Sequence, residues 1–138
     1  MTRADVLVAG AGGRGDALVF TAPISFWGGI HSKSGQVADV RHPQHGLNIA
    51  GRVIFLPGTI GSSSAAAILL ELVHAGKAPA AIVLHEPDAI LLLGLIVAKE
   101  MGYETPVAVQ LDRDVFDGFD RRTVSVSSTG EISVDGER

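Results

Sequence analysis

Between residues 52 and 111 the chain alternates short β-branched apolar runs with longer segments of helical periodicity, and this alternation limits its fold more than any other feature. RVIFL (52–56), AAIVL (80–84) and PVAVQL (106–111) are runs of strand length. Residues 64–75 place Ala65, Ile68, Leu69 and Leu72 at the i, i+3, i+4, i+7 spacing of one helix face. Glu71 and His74 fall off that face, and Gly76 is a natural stop. Residues 88–101 read as a second helix, opened by Pro87 or Asp88 and closed by Gly102. That helix is apolar almost all round, so it is expected to be buried on most sides or to lie at an interface. Strand, helix, strand, helix, strand predicts an α/β fold with a parallel sheet and right-handed crossovers.

The flanks add strands. ADVLVAG and DALVF precede the core, and Pro23 and the pair Gly28-Gly29 interrupt the stretch beyond DALVF. Residues 31–48 are polar, with turn signals at Ser34-Gly35 and His45-Gly46, so a long loop with at most one short strand is expected. TVSVS and EISV around Ser128-Thr129-Gly130 predict a terminal hairpin. At 138 residues the chain is long enough for one domain with a real core, taken as 1–138.

Composition removes several function classes. There is no cysteine, hence no thiolate nucleophile, disulfide or thiolate-held cluster within this chain. The five histidines show no HxxxH or HExxH spacing, so no metal site is expected here. Net charge is −4 without a basic cluster, which argues against a nucleic-acid partner. The longest apolar run, 89–98, is too short to span a bilayer, and the N-terminus does not read as a signal peptide. A cytoplasmic domain is the expectation.

VLVAGAGGRG (6–15) matches the dinucleotide fingerprint GxGxxG at Gly10, Gly12 and Gly15. The chemistry also needs a helix beginning at the third glycine, whose N-terminal amides meet the pyrophosphate. DALVF and then Pro23 come next instead, so a glycine-rich turn between strands is expected.

The run GTIGSSSAAA (58–67) enters the first core helix. One serine suffices as an N-cap, which leaves two hydroxyls without that explanation. Gly58 and Gly61 permit a tight turn with open amides, and a helix N-terminus favours a carboxylate or phosphate. A hydroxyl stabilised by such amides can act as base or nucleophile. The loop comes after a parallel strand, where ligands of open α/β sheets bind. HEPD (85–88) comes after the next strand and reads as a turn and cap. PISFWGGI (23–30) holds the sole tryptophan; Phe26 and Trp27 are either a core aromatic pair or a rigid loop over a pocket or partner surface. His42 and His45, in RHPQHG, read most simply as solvated loop residues.

PISFWGGI, SGQV with Asp39, RHP, AGRVIFLPG with GSSS, ILLEL with GKAPAAIVL, and EPDAIL through IVAKE to TPV occur in one order over residues 5–111. In that order they resemble the small subunit, or swivelling domain, of aconitase X, the group that includes phosphomevalonate dehydratase and cis-3-hydroxy-L-proline dehydratase. The resemblance implies a swivelling β/β/α domain, with added N- and C-terminal strands, that pairs with a larger subunit. It implies that the large subunit holds an iron–sulfur cluster, and that the two chains together dehydrate a small hydroxy acid at their interface. Carried over by position, Ser62 is the catalytic base. Gly61, Ser63, Ser64 and Ser25 contact substrate, and Phe26, Trp27, His31 and His42 are loop or interface candidates. Three positions depart from the pattern: Ile60 where a basic residue precedes GSS, Ala66 where a serine is frequent, and His31 where FWGGI is usually followed by an acid. The expected substrate is cis-3-hydroxy-L-proline, with mevalonate 5-phosphate as the alternative. A non-catalytic anion-binding or assembly module of the same fold is the rival reading.

Overall fold

The computed structural model describes residues 1–136. The elements run β1 (Thr2–Arg3), β2 (Asp5–Val8), β3 (Gly13–Val19), the one-turn α1 (Phe26–Gly29), β4 (Val53–Leu56), α2 (Ala65–His74), β5 (Ala81–Leu84), α3 (Ala89–Glu100), β6 (Ala108–Gln110), a 3-10 helix (Arg113–Phe119), β7 (Thr123–Val126) and β8 (Glu131–Val134). Strand order is β1-β8-β7-β3-β4-β5-β6-β2. β3, β4, β5 and β6 are parallel, and β2 returns antiparallel on β6. The expected β-α-β-α-β core is present, with strands added at both ends.

The long strand β3 divides the sheet. Its first half, Gly13 to Asp16, pairs antiparallel with β7, while Ala17 to Val19 pair parallel with β4. Burial shows why the core strands are continuous apolar runs. Leu18, Ile54, Leu56, Ile82 and Leu84 join one cluster with α2 and α3. The alternating partners Ala17, Val19, Val53, Phe55, Ala81 and Val83 join a second cluster with Phe116, Phe119, Val124, Val126, Ile132 and Val134. Both faces of the parallel sheet are therefore covered, helices on one side and the terminal hairpin with the 3-10 helix on the other, giving β/β/α layers. Fully burying one Val, Leu, Ile or Phe contributes roughly 1.5–3 kcal/mol. Phe55 anchors the second layer, stacked on Phe119 at 5.1 Å and edge-on to Phe116 at 5.3 Å. On the hairpin's outer surface Arg14 donates to Asp135, which holds the Asp135 carboxyl below the ordinary range.

The glycine-rich run is a turn followed by a strand, as expected. Its glycines serve close backbone approach. A Cβ on Gly10 would lie 2.6 Å from the Pro106 carbonyl oxygen, and one on Gly15 would collide with the carbonyl oxygen of Gly51. No helix begins at Gly15, which lies inside β3.

Residues 31–48 form no strand but are held by backbone bonds and by two isolated bridges, Ile30 with Val37 and Gln36 with Asn48. Val37 and Ile49 are fully buried beneath them. α3 buries Leu91, Leu92, Gly94, Leu95 and Ala98. Its remaining apolar residues stay exposed, so the helix is not buried on most sides. Gly94 faces the first turn of α2: a Cβ there would sit 2.5 Å from the Ala66 carbonyl oxygen.

Candidate functional site

The serine loop is held from two sides. After β4, Pro57 and Gly58 are buried, and Thr59 forms a parallel bridge with Ile24. The Ile60 amide donates to the Ile24 carbonyl at 3.0 Å. On the other side the Thr59 hydroxyl donates to Asp88 Oδ2 at 2.6 Å. Asp88 Oδ1 meanwhile accepts the Ile90 and Leu91 amides at 3.0 and 3.1 Å. Asp88 is thus the N-cap of α3 that the sequence indicates, and it also fastens the start of the serine loop.

Beyond that anchor the loop is open. Gly61 and Ser63 are exposed and make no hydrogen bond among the described residues. Ser62 Oγ accepts the Ser64 amide at 3.2 Å, and the Ser62 carbonyl accepts the Ala65 amide at 3.1 Å. Ser64 occupies the N-cap position in αR geometry, and its side chain makes no cap bond. None of the three serine side chains caps α2; Ser62 instead closes the turn that starts the helix. Its turn bond uses an acceptor lone pair and leaves the hydroxyl proton free to be donated or lost. An N–H aimed at Oγ favours the negatively charged form. The helix N-terminus adds partial positive charge beside it.

The bridge from Ile24 to Thr59 brings the neighbouring loop alongside. Ser25 is half-buried, and its Oγ donates to the Trp27 carbonyl at 3.0 Å. The two aromatics separate: Phe26 is 1% exposed and belongs to the core, whereas Trp27 is 58% exposed. Gly28 takes φ +78°, which a residue with a Cβ adopts only under strain. His31 is exposed, with Nδ1 accepting the Lys33 amide at 3.3 Å.

His42 is not a solvated loop residue. It is buried, packs on Phe20 with ring centroids 5.4 Å apart, and bonds at both nitrogens. Nδ1 accepts the Gln44 amide at 3.0 Å, so Nε2 carries the proton and donates to the Ala22 carbonyl at 3.0 Å. Packing and two backbone bonds account for it. His45 is exposed.

Ile60 is 57% exposed, so no cation stands directly before the serines. The same sheet edge carries one that sequence reasoning missed. Arg113, just past β6, lines a cavity of about 320 Å³ with Thr21, Pro57, Asp114 and Asp117. Its amide donates to His85 Nδ1 at 2.9 Å, and its guanidinium has no partner among the described residues. The signal was its place at the carboxyl end of a parallel strand. The donors present do not fit an iron–sulfur cluster: the chain has no thiolate, and no three His, Asp or Glu converge among the described residues. No helix among them is long and apolar enough to cross a membrane.

Comparison with known proteins gives this geometry a family. The aconitase X swivel domain family matches residues 1–134. The chain is 47% identical over 103 residues to cis-3-hydroxy-L-proline dehydratase of Pseudomonas aeruginosa, covering 74% of this chain and 18% of that protein. It is 40% identical over 86 residues to the phosphomevalonate dehydratase small subunit of Methanothermobacter thermautotrophicus, covering 62% of this chain and 66% of that one. The crystal structure of aconitase X from Thermococcus kodakaraensis in its holo-form superposes with a TM-score of 0.81 at 27% identity, covering 96% of this chain and 95% of that one. The chain thus spans under a fifth of the P. aeruginosa enzyme and two thirds of the archaeal small subunit. With a family match over nearly its whole length and the same fold, the chain belongs to the aconitase X swivel-domain family.

Proposed function

We propose that this chain is the small subunit of an aconitase X-type hydro-lyase, which dehydrates a small hydroxy acid at a site shared with a larger iron–sulfur subunit in the cytoplasm. The observation that carries the reading is the open Gly61–Ser64 turn at the start of α2, within a chain whose relatives are dehydratases and dehydratase small subunits. Ser62 acts as the base. Deprotonated, its Oγ keeps the Ser64 N–H as a donor and takes the proton α to the substrate carboxylate; the neighbouring C–O bond breaks as the carbon–carbon double bond forms, and the departing hydroxide takes up the proton held by Ser62, which yields water and restores the Ser62 oxyanion. The amides of Gly61 and Ser63 and the hydroxyls of Ser63 and Ser64 orient the carboxylate, and Ser25 lies on the adjoining loop. The cluster belongs to the large subunit, since this chain lacks donors for it.

cis-3-Hydroxy-L-proline is the substrate we favour. An apolar Ile60 beside the serines suits a substrate without phosphate better than mevalonate 5-phosphate. Co-expression with the cysteine-bearing large chain and assay of water elimination on both compounds tests this. Turnover on the hydroxyproline supports it, turnover on the phosphate ester alone transfers the assignment to that substrate, and activity on neither overturns the enzyme reading. Ile60 and Ala66 also motivate a non-catalytic anion-binding module. Calorimetric binding of small carboxylates or phosphate by the isolated chain, with no activity in the complex, would favour that second reading.

A further inference from the structure

α3 carries an apolar face that nothing in the described residues covers. Ile90, Leu93, Ile96, Val97 and Met101 are 48, 49, 46, 38 and 60% exposed. At 100° per residue they fall within about 140° of arc, opposite the buried set, and Glu100 is the only charge among them. A face this apolar marks a contact with another protein surface.

The face is continuous with the serine loop. It begins at Ile90, whose amide is capped by Asp88; Asp88 also receives the Thr59 hydroxyl, and Thr59 precedes exposed Ile60. The Ile24–Thr59 bridge joins that point to the loop bearing exposed Trp27. These bonds tie the N-terminal end of the α3 face to the two loops that carry exposed Ile60 and Trp27.

Size argues against self-association through α3 alone. A 12-residue helix offers a strip about 18 Å long and about 10 Å wide, on the order of 200 Å². A stable interface needs about 800 Å² per partner. The strip suits one part of a larger contact. In the P. aeruginosa relative the matched segment is 18% of the protein, so the other 82%, between four and five times as much chain, accompanies this segment within one protein.

We propose that the exposed face of α3, continued by Ile60 and Trp27, docks the large dehydratase subunit and thereby sets the serine loop against it. This rests on the small-subunit reading above, and the test separates the two. The large chain is co-expressed with tagged wild type, Leu93→Glu, Val97→Lys, or the control Glu71→Lys on the exposed side of α2. Copurification and affinity are measured, with circular dichroism and melting of each isolated chain as the folding check. The expected result is a stable wild-type and Glu71→Lys complex, and affinity at least about 30-fold weaker for Leu93→Glu and Val97→Lys with unchanged melting. Wild-type affinity in both variants overturns the docking face and leaves the small-subunit reading intact. An isolated chain that is a dimer, made monomeric by Leu93→Glu while the complex is unaffected, overturns it in favour of a second copy. Failure of wild type itself to bind the large chain overturns the small-subunit reading, and the docking proposal with it.

Discussion

Gly94→Ala isolates the contact between the two helices that support the site. The added Cβ would stand 2.5 Å from the Ala66 carbonyl oxygen and 3.2 Å from Leu69 Cβ. The first distance is about 1 Å inside van der Waals contact, and its partner is backbone, which cannot rotate away. α2 and α3 must separate or tilt. Overpacking of this kind costs about 1–3 kcal/mol, against a gain of about 1 kcal/mol from replacing glycine inside a helix. We expect a net loss of about 1 kcal/mol in urea unfolding of the isolated chain. Ala66 lies in the first turn of α2, immediately after the serine loop, so the shift is passed to Ser62. Misplacement by 1 Å can cost about 10²-fold in rate. Turnover of the complex should therefore fall by about 10-fold or more, out of proportion to the stability change. Gly118→Ala, where a Cβ meets nothing within 4 Å, serves as the control and should leave turnover unchanged and stability equal or up to about 1 kcal/mol higher. If Gly94→Ala instead stabilises the chain by about 1 kcal/mol with full turnover, the close helix contact does not exist in solution.

Two further substitutions probe the supports. Asp88→Ala removes the α3 cap and the Thr59 anchor together; we expect a loss of about 1–2 kcal/mol by denaturant unfolding and faster amide exchange across 59–64. Thr105 Oγ1 is buried without a hydrogen-bond partner among the described residues, so Thr105→Val should be neutral or stabilising by up to about 1 kcal/mol in the same assay.

Much of the architecture was legible because periodicity reports burial directly. The three core strands read as continuous apolar runs because two separate clusters cover their opposite faces. α2 read cleanly because one face alone is buried. α3 did not, since it is apolar on both faces and its exposed Ile90, Leu93, Ile96 and Val97 look like buried residues in sequence. The 3-10 helix Arg113–Phe119 escaped notice because DVFDGF has no helical or strand period, and Phe116 and Phe119 are placed by Phe55 from a distant strand. His42 was misread for a related reason: its partners Ala22 and Phe20 lie far back in the chain, and RHPQHG alone looks solvated. At the serine loop, sequence indicated a cap and open amides but could not assign the hydroxyls. That assignment depends on Ser64 adopting αR geometry without a side-chain cap bond, while Ser62 Oγ closes the turn that precedes the helix.

Ser62→Ala in the purified complex is the most direct measurement. The substitution removes one hydroxyl and one turn bond, so the complex should assemble with wild-type affinity and the isolated chain should lose about 0.5–1.5 kcal/mol. We predict that kcat on the hydroxy acid substrate falls by about 10²–10⁴-fold while KM changes little, and that Ser63→Ala raises KM instead. Near-normal turnover in the Ser62→Ala complex would contradict the assignment of this serine as the base.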